Sequence, residues 1–543
     1  MAAIVNNSGS DFPPGASEAP AHVLCNASFR RTWLASLSSN LGIHIMVATA
    51  AWLMKIMTDD PERVAMVQTA FLLPVLLFGF LSGPVADTFE KRRIMFIAGL
   101  VMALASFAAW MGDRGALLQP LAILFLCFAL GSGQAFFIPA LQTSIRQYLP
   151  HEQLPQAISL NSISFNIGRS VGPAIGGALI AAAGTAAGFV APFFAMLPII
   201  GVSLFSPPEK TDRSYRERLG DAVGSGVRYI INSPVILNCQ FRALIVSCCT
   251  SVMAALAPFI ATDILGAGAS AYGGLLAAFG FGSITGALLI ERIRKNFGAE
   301  ALLHGLLAIG AAGCGIVSVS PVAGLSMFGF YLVGLAHMGS ITLLNIIGQL
   351  HSAQWAAARV FSSYFSFSAG GLAGSSILWG VLAAHMDTSA VMGVATGVFC
   401  LAIGLSLLAP VSFPSGDAVQ PGDPLPLRWP AEALAPRDGP IVVEIQFSID
   451  DADRELFLEK MAKLAQSHAR IGFRNWTLTR SVENPSAWRM RFMVKTWADY
   501  LNYRTRMTVA DREIIEALHA LHRGPDSVQV FISVVVRPAM ESA

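Results

Sequence analysis

The 543-residue chain is short of charge: 13% of its residues are Asp, Glu, Lys or Arg, against roughly 25% in an ordinary soluble domain, while 54% are hydrophobic. A water-facing globule of this length is excluded. Acid is scarcest where the chain is most apolar. No Asp or Glu falls well inside any long apolar run, so the usual titrating group of a proton-driven membrane protein is missing. The seven cysteines are scattered without a CxxC pair, which argues against a disulfide framework or a zinc site. No metal, cofactor or nucleic-acid partner is expected. The first 28 residues hold no Lys or Arg, lack the basic leader of a cleaved signal peptide, and read as a flexible tail.

What the chain has instead is a series of bilayer-length apolar runs, such as "TAFLLPVLLFGFLSGPVA" and "VMGVATGVFCLAIGLSLLAP". Hydropathy predicts twelve spans, at 33–57, 64–86, 94–111, 117–148, 157–182, 186–205, 241–262, 272–290, 301–319, 322–350, 356–384 and 390–409. Basic residues concentrate in alternate connections (Arg30, Arg31, Lys91, Arg92, Arg93, Arg146, Lys210, Arg213, Arg228, Arg292, Arg294, Arg359), while the opposite ones offer little beyond Lys55, Arg63 and Arg114. By the positive-inside rule both termini are cytoplasmic, in a multi-pass protein of the cell membrane.

A gapless shift of 203 residues lays the second half on the first. It brings together Phe78 with Phe281, Gly83 with Gly286, Lys91 with Arg294, Gly131 with Gly334, Gly168 with Gly371 and Gly177 with Gly380. Two six-helix repeats follow, 29–206 and 241–410, joined by a cytoplasmic loop 207–240; such duplication suits a transporter whose halves rock around a midplane site. Residues 411–439 are proline-rich and predict an extended linker. From 440 to 538 the pattern turns soluble. "IVVEIQFSI" alternates like a half-buried strand, 450–471 is an amphipathic helix with Phe457, Met461, Leu464 and His468 on one side, a hairpin turns at Asn484 and Pro485, and a second helix and a last strand complete a ferredoxin-like βαββαβ α+β domain.

Two stretches carry candidate chemistry. In "GPVADTFEKRR", Gly83 and Asp87 precede Lys91, Arg92 and Arg93, so a carboxylate at one helix end faces a basic cluster and can hold two helices in one of two arrangements. In "LNSISFNIGRSVGPAIGGALI", Asn166, Arg169 and Pro173 share one helical stripe, with Gly168, Gly172 and Gly176 on the next. The glycines permit close helix approach. Arg169 costs roughly 3 kcal/mol at a bilayer centre, so it should face the bundle interior, with Asn161 or carbonyls as structural partners if it does not serve the cargo directly.

The loop resembles the signature loop of the major facilitator superfamily, with Thr88 and Glu90 where that pattern usually has Arg and Gly. The string "GPAIGG", which ends in Gly176 and Gly177, resembles the fifth-helix motif of exporters and antiporters of that superfamily. The longer strings, including "APFIATDILGAGASAYGGLLAAFGFGSITGALL", resemble its enterobactin-exporter and transmembrane-secretion-effector branch. The resemblance implies a twelve-helix fold and outward transport of a small molecule by proton exchange. The last domain resembles that family's C-terminal extension, which is similar to dimeric antibiotic-biosynthesis-monooxygenase folds; self-association is thereby implied. A tail that oxidises or senses the cargo is the alternative, but no clear catalytic constellation is present.

Without a buried acid, His44 and Asp263 become the candidate coupling groups. Other polar positions in the spans, Asn40, Gln68, Gln134, Gln142, His337 and Asn345, are candidate cavity residues; Gln134 meets His337, and Gln142 meets Asn345, under the shift of 203. Each could equally form an interhelical hydrogen bond.

Overall fold

Backbone groups in hydrocarbon must bond within their own segment, and the apolar part of the chain is accordingly a succession of helices. The computed structural model describes residues 23–149, 153–205, 219–294, 296–353, 355–408, 410–411, 413, 434–504, 506–524 and 526–535. The first group comprises α1 (Ala27–Thr58), α2 (Pro61–Thr88), α3 (Lys91–Arg114), α4 (Pro120–Tyr148), α5 (Leu154–Ala183) and α6 (Thr185–Phe205). After α7 (Leu219–Ile231) come α8 (Pro234–Phe259), extended by a π-helical turn over Ile260–Ile264, then α9 (Ala269–Ile293), α10 (Ala299–Val319), α11 (Ala323–Leu350), α12 (Ala357–His385) and α13 (Thr388–Ser406). Prolines occupy the first turns of α2, α4, α5 and α8, where the missing N–H is harmless. Asn26 caps α1 by accepting from Phe29 N–H at 3.0 Å. Among the described residues eleven helices are long and apolar enough to cross a membrane. The 30-residue α5, which carries Asn161, Asn166 and Arg169, stands outside those eleven.

Several boundaries differ from expectation. The tail is packed before residue 28: Val23 to Cys25 form a 3-10 turn, and Val23 is buried with Phe29, Leu149 and Ala157. Residues 1–22 lie outside the described set. The segment 207–240 is not all loop, because α7 fills 219–231 and α8 starts at Pro234 rather than at 241. At 13 residues α7 is too short to span, so hydropathy passes over it; its Tyr229 and Ile230 bury against Ile236, Ala356 and Val360.

The repeat also needs a correction. α4, α5 and α6 begin 203 residues before α11, α12 and α13, whereas α1, α2 and α3 begin 207, 208 and 208 before α8, α9 and α10. Packing agrees with the larger offset in the second helix: Gly131 abuts Phe71 O, and Gly334 abuts Phe279 O. The cause is local, since α3 and its connection to α4 are longer than α10 and its connection to α11. The pairings of Phe78 with Phe281, Gly83 with Gly286 and Lys91 with Arg294 therefore do not hold, while those within α4 to α6 do.

Each half has its own apolar core, and each core borrows from the other. Leu372, Ala369 and Ala373 join the first; Ala48, Trp52 and Ile180 join the second. The seam between halves runs along α5 with α9 and along α2 with α12.

The last part forms β1 (Ile441–Ser448), α14 (Arg454–Ile471), β2 (Arg474–Arg480), β3 (Ala487–Val494), α15 (Trp497–Arg504), α16 (Val509–Ala520) and β4 (Gln529–Val534). The sheet order is β2-β3-β1-β4 with every neighbouring pair antiparallel; Ile441 lies between Val494 and Val534. Phe457, Met461, Leu464 and His468 are buried on one face of α14, as the sequence pattern implies. The single second helix expected there is two, interrupted around buried Met507 and restarted by a capping box of Thr508 and Asp511. This domain touches the membrane part at the α11–α12 connection. Trp355 Nε1–H donates to Arg506 O at 3.2 Å, and the Arg506 guanidinium lies 4.6 Å over the Trp355 ring.

Candidate functional site

α5 is held between two helices by its small residues. A Cβ at Gly168 would stand 2.5 Å from Asn40 Cβ, and one at Gly172 would stand 2.8 Å from His44 Cβ, so only glycine lets α1 come this close. Gly176 continues the same stripe against Ile45. On the opposite side Gly177 meets Gly273 of α9, where an added Cβ would be 2.3 Å from the neighbouring Cα. The glycine stripe thus seats α1, and the following glycine seats the other half of the molecule. Pro173 lies within the helix.

This seating aims Arg169 across the seam. Its Nη2 lies 2.7 Å from His337 Nε2 on α11, and His337 Nδ1 lies 2.7 Å from Thr250 Oγ1 on α8. Thr250 Oγ1 in turn donates to Val246 O at 3.0 Å. The partners assign the tautomer. A guanidinium only donates, so Nε2 must accept; Thr250 spends its proton on the carbonyl, so Nδ1 carries the imidazole hydrogen. His337 is fully buried and neutral in this arrangement, and a second proton on it would set N–H against N–H. Asn161, half-buried on α5, is not the partner of Arg169. Sequence reasoning named Arg169 and His337 separately; it missed Thr250, one hydroxyl among many in α8.

Around this relay lie further polar atoms and aromatic rings. Asn40 is buried, donates to Ser36 and Ser164 at 3.4 and 3.3 Å, and leaves Oδ1 without a partner. His44 Nε2 is likewise buried and unpartnered, its ring 6.2 Å from Phe71 and 6.3 Å from Phe165. Phe165 meets Phe365 at 5.8 Å, and Phe279 meets the His337 ring at 6.0 Å. Of the other candidate residues, Asn166 is half-buried on α5 and Gln134 is buried on α4, neither in a described contact with this relay. Asn345 is occupied within its own helix, accepting from Gln349 at 2.6 Å.

Asp263 is elsewhere, at the end of the helices where α1 finishes. It pairs with Lys55 at 3.6 Å; Lys55 also binds Asp59 and sits 4.3 Å over the Phe259 ring. Trp52 stacks on Tyr272 at 5.2 Å, and Tyr272 Oη donates to Ala48 O at 3.1 Å, so this end of the seam is closed by contacts from both halves. In the signature-like loop the side chain of Asp87 lies outside the described set, and a Cβ at Gly83 would meet nothing within 4 Å. The basic cluster is anchored by Glu90, the very departure from the family pattern: Arg92 Nε and Arg93 Nε each approach its carboxylate at 2.5 Å. The Arg92 hydrogen bond, with the charges of Arg92 and Arg93, holds Glu90 below the usual carboxylate range. Lys91 opens α3 beside it.

A second polar cluster was not foreseen. Arg242, buried in α8, binds Glu300 at 2.9 Å and Ser406 O at 2.5 Å; Glu300 also accepts from Val411 N–H. It fastens the chain leaving α13 to the bundle. In the soluble domain, His522 accepts from Ser448 N–H and bonds Asp526 O, which makes it a clamp on β1.

Solved structures with this architecture are membrane transporters. The nucleoside transporter NupG aligns with a TM-score of 0.60 at 11% identity, over 70% of this chain and 99% of its own. An inward-facing, occupied bacterial homologue of the human lysosomal transporter Spinster gives 0.56 at 14% identity, over 70% and 96%. These likenesses show that the chain shares the fold of those proteins. In sequence, an uncharacterised transporter of the major facilitator type from Bacillus subtilis (strain 168), YfiS, is 27% identical over 291 residues, 51% of this chain and 67% of the relative. Residues 18–539 match the transmembrane secretion effector family, and the chain belongs to it. It is thus a multi-pass membrane transporter and not an enzyme.

Proposed function

We propose that the protein exports a small molecule by alternating access between two six-helix halves, α1–α6 and α8–α13, twelve spans in all, with both chain ends in the cytoplasm. On this reading the contacts of Lys55 with Asp263 and of Trp52 with Tyr272 close the outer end of the path, and the Glu90 cluster lies at the inner end. The contact from Arg169 through His337 to Thr250 carries the reading. It is a polar link between halves whose His337 and Thr250 are buried, and it must open whenever the halves part. Protonation of His337 is incompatible with that link, so we assign proton coupling to His337 rather than to His44 or Asp263. Asp263 serves as a latch.

The C-terminal domain, of ferredoxin-like order, is read as a sensing module, since Arg506 ties it to the connection between α11, which bears His337, and α12. Its open sheet face is the surface for self-association.

The cargo is found by comparing metabolites retained in cells with and without the protein, and transport is then measured in everted membrane vesicles. ATP-independent accumulation of that compound, lost in Arg169→Ala, is the expected result. Accumulation unaltered by that substitution overturns the proposal.

A further inference from the structure

The groups that meet at the seam carry positive charge with nothing opposite to it. α1, α5, α8, α11 and α12 supply Asn40, His44, Arg169, Thr250, His337 and Phe365, and these five helices contain no Asp or Glu at all. The two other contributors, α2 and α9, keep their acids at their ends. Glu62 stands about 13 Å from Phe71 along its helix, and Glu291 about 18 Å from Phe279, at 1.5 Å per residue.

His337 gives Arg169 a neutral lone pair and no charge. Four of the five guanidinium N–H positions are not used by that contact, and a carboxylate or phosphoryl group would take two of them side by side. The unpartnered Nε2 of His44 lies close enough to feel the guanidinium's charge and is a second polar atom on the same side.

The surroundings set the rest of the ligand. Arg169, Phe165, Phe279 and Phe365 are each partly exposed, so one cation and three phenyl rings keep accessible surface near the seam. We infer that the cargo is an organic anion: its carboxylate or phosphoryl group binds Arg169, and its apolar, ring-bearing body lies against Phe165, Phe279 and Phe365. This rests on the transport reading above. The anion takes N–H donors that the contact with His337 leaves free.

The test uses full-length protein in detergent and three probes of one shape, naphthoate, naphthyl phosphate and neutral naphthamide, compared by equilibrium dialysis. At least one anion should bind about tenfold or more tightly than the amide, the size of one charge-assisted hydrogen bond. Which anion leads decides between carboxylate and phosphoryl cargo. Arg169→Gln should erase the preference while amide binding persists, and Arg169→Lys should restore part of it. The comparison within the wild type stands even if a variant does not fold. Amide binding as tight as both anions, or no binding by either anion, overturns the inference. Anion preference without uptake into everted vesicles sinks the transport reading alone; uptake with no anion preference sinks this one.

Discussion

The two seams between the halves are related by the repeat, and they are built alike but equipped differently. Gly168 and Gly177 of α5 correspond to Gly371 and Gly380 of α12, and all four abut a neighbouring helix closely: Gly371 faces Leu244 O, and Gly380 faces Ala65. The chemistry does not repeat. Arg169 corresponds to Leu372, which is buried apolar in the first core, and His337 corresponds to Gln134. Duplication has preserved the bearing surfaces and placed charge on one side alone. On the transport reading proposed above, rocking halves need two matching bearings, and the one polar contact selects the cargo and times the motion.

That contrast can be broken by making the equipped seam resemble its twin. Arg169→Leu copies position 372 and should lower uptake into everted vesicles by about a hundredfold or more, the scale of an ion-binding contact worth roughly 3 kcal/mol; near-normal uptake would show that the asymmetry is incidental. His337→Gln copies position 134. An amide oxygen can still accept from Arg169 but cannot take a proton, so transport should persist at a reduced rate and lose its dependence on pH. The bearings themselves should respond to bulk. Gly177→Val drives a side chain into Gly273 and should cost about 1–3 kcal/mol of thermal stability, read by dye-monitored unfolding, with Gly380→Val as its counterpart of similar size.

A fourth prediction concerns the soluble domain. Burial in the hydrophobic core lowers His468 from 6.5 to about 3, and nearby Asp511 only partly opposes this. The folded state therefore binds fewer protons than the unfolded one. Its stabilising effect is complete above about pH 6.5 and declines toward pH 3 by about 1.4 kcal/mol per pH unit. Hydrogen exchange in β1 and α14 of the full chain should speed up accordingly on acidification, and His468→Phe should flatten that slope. The smallest effect belongs to Lys55→Ala, which removes a half-exposed ion pair with Asp263 and should change stability by about 1 kcal/mol or less.

Much of the membrane architecture was legible because a bilayer imposes one simple rule on length and polarity. The glycine stripe of α5 was legible for the same reason: spacing of four is a statement about one helix. The partner of Arg169 was not, since His337 is 168 residues away and nothing periodic connects them. The link between them rests on tertiary placement. The register of the repeat failed where a connection changed length, as loops tolerate and helices do not. Glu300 escaped notice, and Glu90 stood out only as a departure from the family loop, because an acid at a helix end looks like an ordinary surface charge; the structure shows Glu90 holding Arg92 and Arg93 and Glu300 holding Arg242.

Trp355 has a practical consequence. It lies in the short turn between α11 and α12, flanked by the cations of Arg359 at 5.7 Å and Arg506 at 4.6 Å, and so hitches the C-terminal domain to two helices that move on the proposed mechanism. Any swing of those helices is amplified at the far side of the appendage. A fluorophore on Val482, which is 97% exposed in the β2–β3 turn, should act as a pointer that reports the transport stroke from the aqueous side without a label in the bilayer.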